Sequence, residues 1–284
     1  MKIRSFKNTF DWFCEKLLLH QSKQELQSLF FVMMDDGFGY SKTYVLTHYD
    51  SEISEAEFKK IETIVSRLKT DEPIQYILEK TTFCDLPFTV KSGVLIPRPE
   101  TEELVQLIIS DNKGKDGLHI LDIGTGSGCI PICLSKYLTN AKVTSIDISK
   151  ECLTIAQSNA QLNETSVKYV EANILEDDIQ FQDLDIIVSN PPYVLDSEKA
   201  IMKANVLNYE PHLALFVPDN DPLLFYQVII EKAKKWLKPQ GLLYFEINEQ
   251  FAKETEIIAL KKRFSSVRCI KDMFGKDRFV KIIN

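Results

Sequence analysis

The sequence holds no Cys-x-x-Cys pair, although it carries six cysteines (Cys14, Cys84, Cys129, Cys133, Cys152 and Cys269). Scattered thiols in a chain of this size point to free cysteines in a reducing cytosol rather than to a disulfide framework. Cys129 and Cys133 lie four apart on an expected helix, but no histidine or second pair completes a ligand set, so no metal is expected. Long apolar runs are missing too. The stretch from Met1 to Phe13 lacks the continuous apolar core of a signal peptide. The longest apolar run near it, Leu29 to Met34, is far short of the roughly 20 residues of a membrane helix. A cytoplasmic protein with no membrane attachment is the expectation. Positive charge is not in excess: 34 Lys and Arg stand against 41 Asp and Glu, a net charge of −7. Neither the first 85 residues nor the remainder is net basic, so direct nucleic-acid binding is not expected.

What is present is an ordinary globular composition, 44% hydrophobic and 26% charged, over 284 residues. That length predicts about two domains, each able to bury a core without staples. Residues 1–80 read as a small helical bundle. Ser22-Lys-Gln-Glu25 and Ser54-Glu-Ala-Glu57 are capping boxes, whose side chains satisfy the orphan amides of a helix start. Phe58, Ile61, Ile64, Val65 and Leu68 then recur at helical spacing, as do Phe10, Phe13, Leu17 and Leu26, Phe30, Met33. Residues 81–98 read as a β-hairpin linker, with Phe83, Leu86, Phe88 and Val90 around a turn. Pro97 and Pro99 keep its end extended. Residues 99–284 alternate strand and helix. Strands are expected at Leu118–Ile123, Val143–Ile148, Val167–Val170, Asp185–Ser189 and Leu242–Ile247. Helices are expected at Glu100–Ser110, Ile130–Leu138, Cys152–Leu162 and Pro222–Leu237. Such alternation predicts an α/β fold, a mostly parallel sheet covered by helices on both faces. Val267–Ile270 and Arg278–Ile283 close it as an antiparallel pair.

Between the first of these strands and its helix lies Gly124-Thr125-Gly126-Ser127-Gly128. Glycines there let the backbone turn sharply and approach a ligand closely. The spacing is G-x-G-x-G rather than G-x-G-x-x-G, and no Gly-Lys-Ser/Thr follows, which excludes a P-loop. Asp147 ends the next strand, 19 residues beyond Gly128, where an acid can accept both ribose hydroxyls of a nucleoside. The strand ending at Ser189 runs into Asn190-Pro191-Pro192-Tyr193. Open α/β sheets bind ligands at the carboxyl ends of their strands. Pro191 forces Asn190 out of helical dihedrals, so the Asn190 side-chain oxygen and the Pro191 carbonyl become two fixed acceptors. A planar NH₂ group has two donor hydrogens to match them. Tyr193 is expected to offer an aromatic face to a flat substrate group.

With a G-x-G-x-G loop and a later acid, the chain resembles the S-adenosylmethionine-dependent methyltransferases, and (D/N)-P-P-(Y/F/W) resembles their amino-group-methylating branch. Gly93-Val-Leu-Ile-Pro-Arg-Pro-Glu-Thr-Glu102, Leu121 to Gly128, Ile187 to Tyr193 and Tyr209-Glu-Pro211 together resemble the PrmC/HemK family, release factor glutamine methyltransferases. Glu72 to Ile77 extends the likeness, which spans about residues 67 to 280. The resemblance implies a Rossmann-like seven-stranded methyltransferase domain at 99–284, with an antiparallel terminal strand, and a substrate-recognition role for the helices of 1–80. It implies S-adenosylmethionine as cofactor, held by Gly124, Thr125, Gly126, Ser127, Gly128, Asp147, Asn173, Ile174 and Asn190. It implies Asn190 and Pro191 as catalytic, with Pro192, Tyr193 and Glu100 completing the substrate site. The implied reaction is transfer of a methyl group to the side-chain amide of the glutamine in the Gly-Gly-Gln motif of peptide chain release factors, modulating translation termination. A ribosomal-protein glutamine or an exocyclic amine of a nucleic-acid base are the alternative acceptors. The chain departs from the family pattern at Glu79 and Asn248, where glycine is usual, at Asn173, where an acid is usual, and at Pro218 to Asn220, which replace a glycine-containing loop.

Other residues read more plainly. Glu100 and Glu102 are either site acids or acids of a first helical turn. His212, beside Glu210-Pro211, reads as a structural loop histidine. Trp12 and Trp236 read as core or interface aromatics. Residues 261–281 carry eight basic and two acidic side chains, read as the solvated face of the closing hairpin, with an RNA contact as the alternative.

Overall fold

The computed structural model describes residues 4–18 and 22–284. Residues 1–3 and 19–21 of the expected bundle lie outside them. The chain divides into two compact units, one of residues up to Thr81 together with Lys203–Tyr209, the other of Thr82–Met202 together with Glu210–Asn284.

The first unit begins with β1 (Arg4–Ser5), α1 (Phe6–Leu17), α2 (Lys23–Phe38) and α3 (Lys42–Thr47), and continues through β2 (Glu52–Ile53), α4 (Glu55–Leu68) and α5 (Ile74–Leu78). Both capping boxes form: Ser22 and Ser54 accept the amides of Glu25 and Glu57, whose carboxylates return to the serine amides at 3.0 and 2.9 Å. Phe13, Leu17, Leu26, Phe30, Met33, Ile61 and Leu68 are buried together, as their helical spacing predicts. The sequence showed no strand here, yet β1 pairs antiparallel with β2 over two residues. So short a ladder leaves no periodicity to read. The return segment is bonded into this unit: Tyr209 donates its hydroxyl to the Thr70 carbonyl at 2.7 Å, and Lys203 pairs with Glu25 at 3.0 Å.

The second unit opens with the hairpin β3 (Thr81–Phe83) and β4 (Leu86–Phe88), turned by Cys84 and Asp85 at φ 48° and 61°. Positive φ at both central residues is the turn that matches strand twist. Then come α6 (Pro99–Asp111), β5 (His119–Ile123), α7 (Cys129–Tyr137), β6 (Lys142–Asp147), α8 (Lys150–Leu162), β7 (Val167–Glu171) and β8 (Leu184–Ser189). The stretch after β8 holds β9 (Val194–Leu195), the first-unit helix α9 (Ala204–Tyr209), α10 (His212–Leu215) and β10 (Phe216–Val217). The chain closes with α11 (Leu224–Trp236), β11 (Leu237–Glu246), α12 (Ala252–Lys261), β12 (Ser266–Lys271) and β13 (Asp277–Ile283).

Seven strands form one sheet in the order β12-β13-β11-β8-β5-β6-β7. β5, β6, β7, β8 and β11 run parallel, and β13 is antiparallel to both its neighbours. This is the mostly parallel, Rossmann-like sheet expected, closed by one reversed strand. Ile120, Ile186, Val188 and Tyr244 pack one face against α6 and α7 residues such as Leu104 and Ile132. Leu121, Ile187 and Phe245 pack the other against Ile229, Ile230 and Trp236 of α11. Adjacent residues of one strand therefore serve different cores, the period-two rule of a strand covered on both faces. The strand order reverses between β5 and β8, and a crevice outside the carboxyl ends of such strands is where open sheets take ligands.

Candidate active site

A cavity of about 440 Å³ opens at that reversal, walled by the residues that follow β5, β6, β7 and β8. Its size is that of a small-molecule site. The loop after β5 hangs from the neighbouring strand, with Gly124 and Thr125 donating their amides to the Ile146 carbonyl at 2.9 and 3.2 Å. Gly124 and Gly126 have φ of 83° and 51°, and a Cβ on either would stand in open space. Gly128, φ 83°, is different: a Cβ there would lie 2.9 Å from the Ala156 Cβ of α8 and 3.0 Å from Ile132. The first two glycines thus bare the backbone to the cavity, and the third lets α7 pack on α8. Gly128 itself is not among the cavity walls.

Asp147 ties this loop down. One carboxylate oxygen accepts the Gly126 amide at 2.9 Å and the other the Ser149 amide at 2.8 Å. Burial raises its pKa from the ordinary value, and these backbone bonds oppose the rise. Below the loop, Asp122 is fully buried and accepts the Ser145 hydroxyl at 2.6 Å; burial pushes its pKa up to about 7. Ile148, Ala172, Ile174, Phe225 and Ile229 make an apolar part of the wall. Asn173 stands beside them, its Oδ1 accepting the Leu175 amide at 3.0 Å. A further part of the wall joins Pro97 and Arg98 to Pro211 and Leu213. The Arg98 guanidinium pairs with buried Glu210, whose second oxygen accepts the Ile96 amide at 3.1 Å.

Asn190, Pro191 and Pro192 line the cavity beyond the end of β8. Ser189 fixes that end to β5 by donating its hydroxyl to the Ile123 carbonyl at 2.7 Å. The Asn190 amide donates to Thr101 Oγ1 at 3.0 Å, Thr101 donates to Glu246 Oε2 at 2.7 Å, and Tyr193 donates to Glu246 Oε1 at 2.9 Å. Glu246 ends β11 and is 1% exposed. Burial raises its pKa, against the hydroxyls of Thr101 and Tyr193 and the Arg278 charge, which hold it down.

Of the residues expected from the sequence, Gly124, Thr125, Gly126, Ser127, Asp147, Asn173, Ile174, Asn190, Pro191 and Pro192 meet on this one cavity. Tyr193 and Glu100 are not among its walls. The Tyr193 ring is partly buried against the sheet core and its hydroxyl donates to Glu246. His212 is exposed on α10, edge-on to Phe216. Sequence reasoning passed over Thr101 and Glu246 as functional groups. The available signal was an acid inside the otherwise apolar run Leu242–Ile247. Of the eight basic side chains of 261–281, Lys262, Lys271, Lys276, Arg278 and Lys281 are paired with acids, which favours the solvated-face reading. No helix among the described residues is long and apolar enough to cross a membrane.

Comparison with known proteins identifies relatives of the whole chain. The methyltransferase small domain family model matches residues 100–213, and the PrmC N-terminal domain model matches residues 12–78. The release factor glutamine methyltransferase of Flavobacterium psychrophilum is 45% identical over 97% of this chain and 98% of its own length. That of Bacteroides thetaiotaomicron is 45% identical over 90% of this chain and 92% of its own. Among solved structures, a methyltransferase from Pyrococcus furiosus superposes with a TM-score of 0.51 at 19% identity, covering 81% of this chain and 98% of that one, a likeness of fold alone. The chain belongs to the release factor glutamine methyltransferase family, and its second unit is a class I methyltransferase fold.

Proposed function

We propose that this chain transfers a methyl group from S-adenosylmethionine to the side-chain amide nitrogen of the glutamine in the Gly-Gly-Gln motif of peptide chain release factors, and so modulates translation termination in the cytoplasm. The observation that carries the reading is the Asn190 amide, anchored through Thr101 on a wall it shares with the glycine loop and Asp147. Residues 99–284 form the transfer domain, 81–98 a hairpin linker, and the helices of 1–80 recognise the release factor. Direct nucleic-acid binding is no part of this function.

The residues present fit the cofactor. Gly124 and Gly126 leave open space where a Cβ would stand, so their backbone can approach a bound nucleoside closely. Asp147, held at the cavity wall by the Gly126 and Ser149 amides, would accept ribose hydroxyls, and Ile148, Ala172 and Ile174 give an apolar berth to a flat base, with Asn173 at its edge. Thr125 and Ser127 complete the loop. When bound, S-adenosylmethionine supplies an electrophilic methyl group on a cationic sulfur, with a neutral thioether as leaving group.

An amide nitrogen is a poor nucleophile because its lone pair is delocalised into the carbonyl. The Asn190 Oδ1 and the Pro191 carbonyl accept its two N–H groups and hold the nitrogen in one orientation. These bonds tighten as positive charge grows on nitrogen, which favours the transition state over the ground state. Orientation of this kind is worth up to ~7–11 kcal/mol of barrier in good cases. No strong base is required, since the N–H becomes acidic once the methyl group has arrived and water takes the proton.

The test is mass spectrometry of an unmethylated release factor after incubation with this protein and S-adenosylmethionine. A gain of one methyl group on the Gly-Gly-Gln glutamine is expected. Absence of that gain while the cofactor still binds overturns the substrate assignment and turns the search to ribosomal proteins and nucleic-acid bases.

A further inference from the structure

We infer that Thr101 and Glu246 are positioning residues that fix which end of the Asn190 side-chain amide faces the cavity, so that its oxygen rather than its NH₂ meets the substrate. The inference deepens the transfer reading above and rests on it for its catalytic consequence. The hydrogen-bond directions carry it. A carboxylate has no donor, so Glu246 can only accept. Its Oε1 takes the Tyr193 hydroxyl and its Oε2 the Thr101 hydroxyl. The one hydroxyl proton of Thr101 is thereby committed, and towards Asn190 Thr101 can only accept. The partner it takes, at 3.0 Å, is Nδ2. A flipped amide would set Oδ1 against a Thr101 lone pair and lose this bond. In the unflipped state Oδ1 is left for the cavity, and an acceptor is what the N–H of a substrate amide requires.

The relay is built from three distant parts of the chain. Thr101 lies in the first turn of α6, started by Pro99; Asn190 follows β8; Glu246 ends β11. All its bonds are made where Thr101 and Glu246 are buried, so water does not compete for them. The groups around Glu246 keep its carboxylate in place: the Tyr226 hydroxyl of α11 donates to its backbone carbonyl at 3.3 Å, and the Arg278 charge of β13 favours its ionised form, against Glu100 of α6. Asn190 touches the substrate. Thr101 and Glu246 act only through it.

The test compares Thr101→Val, Thr101→Ser, Glu246→Gln, Asn190→Ala and the double variant Thr101→Val/Asn190→Ala in the full chain. Thr101→Val is expected to lower kcat roughly 10- to 100-fold, the scale of a lost orientation, with the cofactor Kd unchanged. Thr101→Ser, which keeps the hydroxyl, recovers most of that rate. Glu246→Gln, which can donate to Thr101 as well as accept, lowers kcat in the same sense. The double variant loses no more than Asn190→Ala alone, because Thr101 has nothing left to position. A Thr101→Val or Glu246→Gln enzyme of full rate, or losses that multiply in the double variant, overturns the assignment. A second readout needs no turnover: the Asn190 side-chain NH₂ resonances, identified by their loss in Asn190→Ala, shift upfield in Thr101→Val and return in Thr101→Ser. If the wild type methylates no release factor, the substrate reading fails, and these resonances alone decide the inference; no shift in Thr101→Val overturns it.

Discussion

Asp147 accepts the backbone amide of Gly126 at 2.9 Å, joining the end of one strand to the loop that follows its neighbour. The same carboxylate that would receive a ribose therefore also shapes the glycine loop. Asp147→Ala removes both. Hydrogen bonds to a charged group are worth ~1.5–3 kcal/mol, so cofactor affinity is expected to fall about 10-fold or more. Calorimetry with S-adenosylmethionine or its demethylated product reads this directly, and an unchanged Kd removes Asp147 from the cofactor site.

The loop glycines separate two kinds of cost. Gly128→Ala places a Cβ 2.9 Å from the Ala156 Cβ at φ 83°, and both strain and overpacking follow. A loss of about 2–4 kcal/mol in unfolding free energy is expected. Gly126→Ala, at φ 51°, bears the backbone strain of ~1–2 kcal/mol but meets no neighbour, and its further effect is a methyl group in the space reserved for the cofactor. Urea unfolding together with ligand titration distinguishes them: the first variant loses the more stability, the second the more affinity. Equal stability losses in both would show that crowding against α8 does not set the role of Gly128.

Much of this architecture is legible in the sequence. All seven sheet strands stand where apolar runs bounded by turn residues place them; in β5, β8 and β11, covered on both faces, that signal is local and continuous. The exception is the start of β11, Leu237–Gly241, where Pro239 and Gly241 read as breakers. There the ladder to β8 shifts register between Leu237 and Leu242, the kind of irregularity that admits such residues into a strand. In the site, the glycine loop, Asp147 and Asn190 are legible because each is a short motif at a strand end. Thr101 and Glu246 are not, since their meaning lies in a bond spanning 145 residues. Tyr193 is less legible for the same reason: its neighbours in sequence suggest an exposed face, while in space its ring is partly buried against the sheet core.

Asn190→Ala takes the acceptor away from the substrate and leaves the cofactor walls in place. Its kcat should therefore fall far more than its cofactor affinity. Single-turnover transfer to a release factor beside a cofactor titration gives both numbers. A variant of equal activity ends the role assigned to Asn190.

Burial pushes the Asp122 carboxyl to about 7, far above its value of 3.8 in an unfolded chain. The folded state then binds more protons than the unfolded state between those values, so this group makes stability fall as pH rises through that window. Asp122→Asn removes the contribution while keeping an acceptor for Ser145. Between pH 5 and pH 8 the wild type should lose more unfolding free energy than the variant. Chemical denaturation at both pH values is the measurement, and parallel losses would place the titration elsewhere, with Asp147 and Glu246 the other buried acids raised in the same sense.

Glu79 closes α5 in the left-handed region, φ 53° and ψ 29°, the position where the family pattern has glycine. A Cβ in that conformation crowds the following carbonyl at a cost of ~1–2 kcal/mol, whereas glycine adopts it freely but surrenders ~0.5–1 kcal/mol of chain entropy on folding. The first term exceeds the second. Lys80 pairs with Asp36 and Arg67 with Glu72, so among the described residues Glu79 forms no ion pair. Glu79→Gly should therefore stabilise the chain by about 0.5–1 kcal/mol, read as a rise in the urea midpoint at constant slope. Glu79→Ala keeps the Cβ and should show no such gain; an equal rise in both variants would assign the effect to removed charge instead of backbone strain.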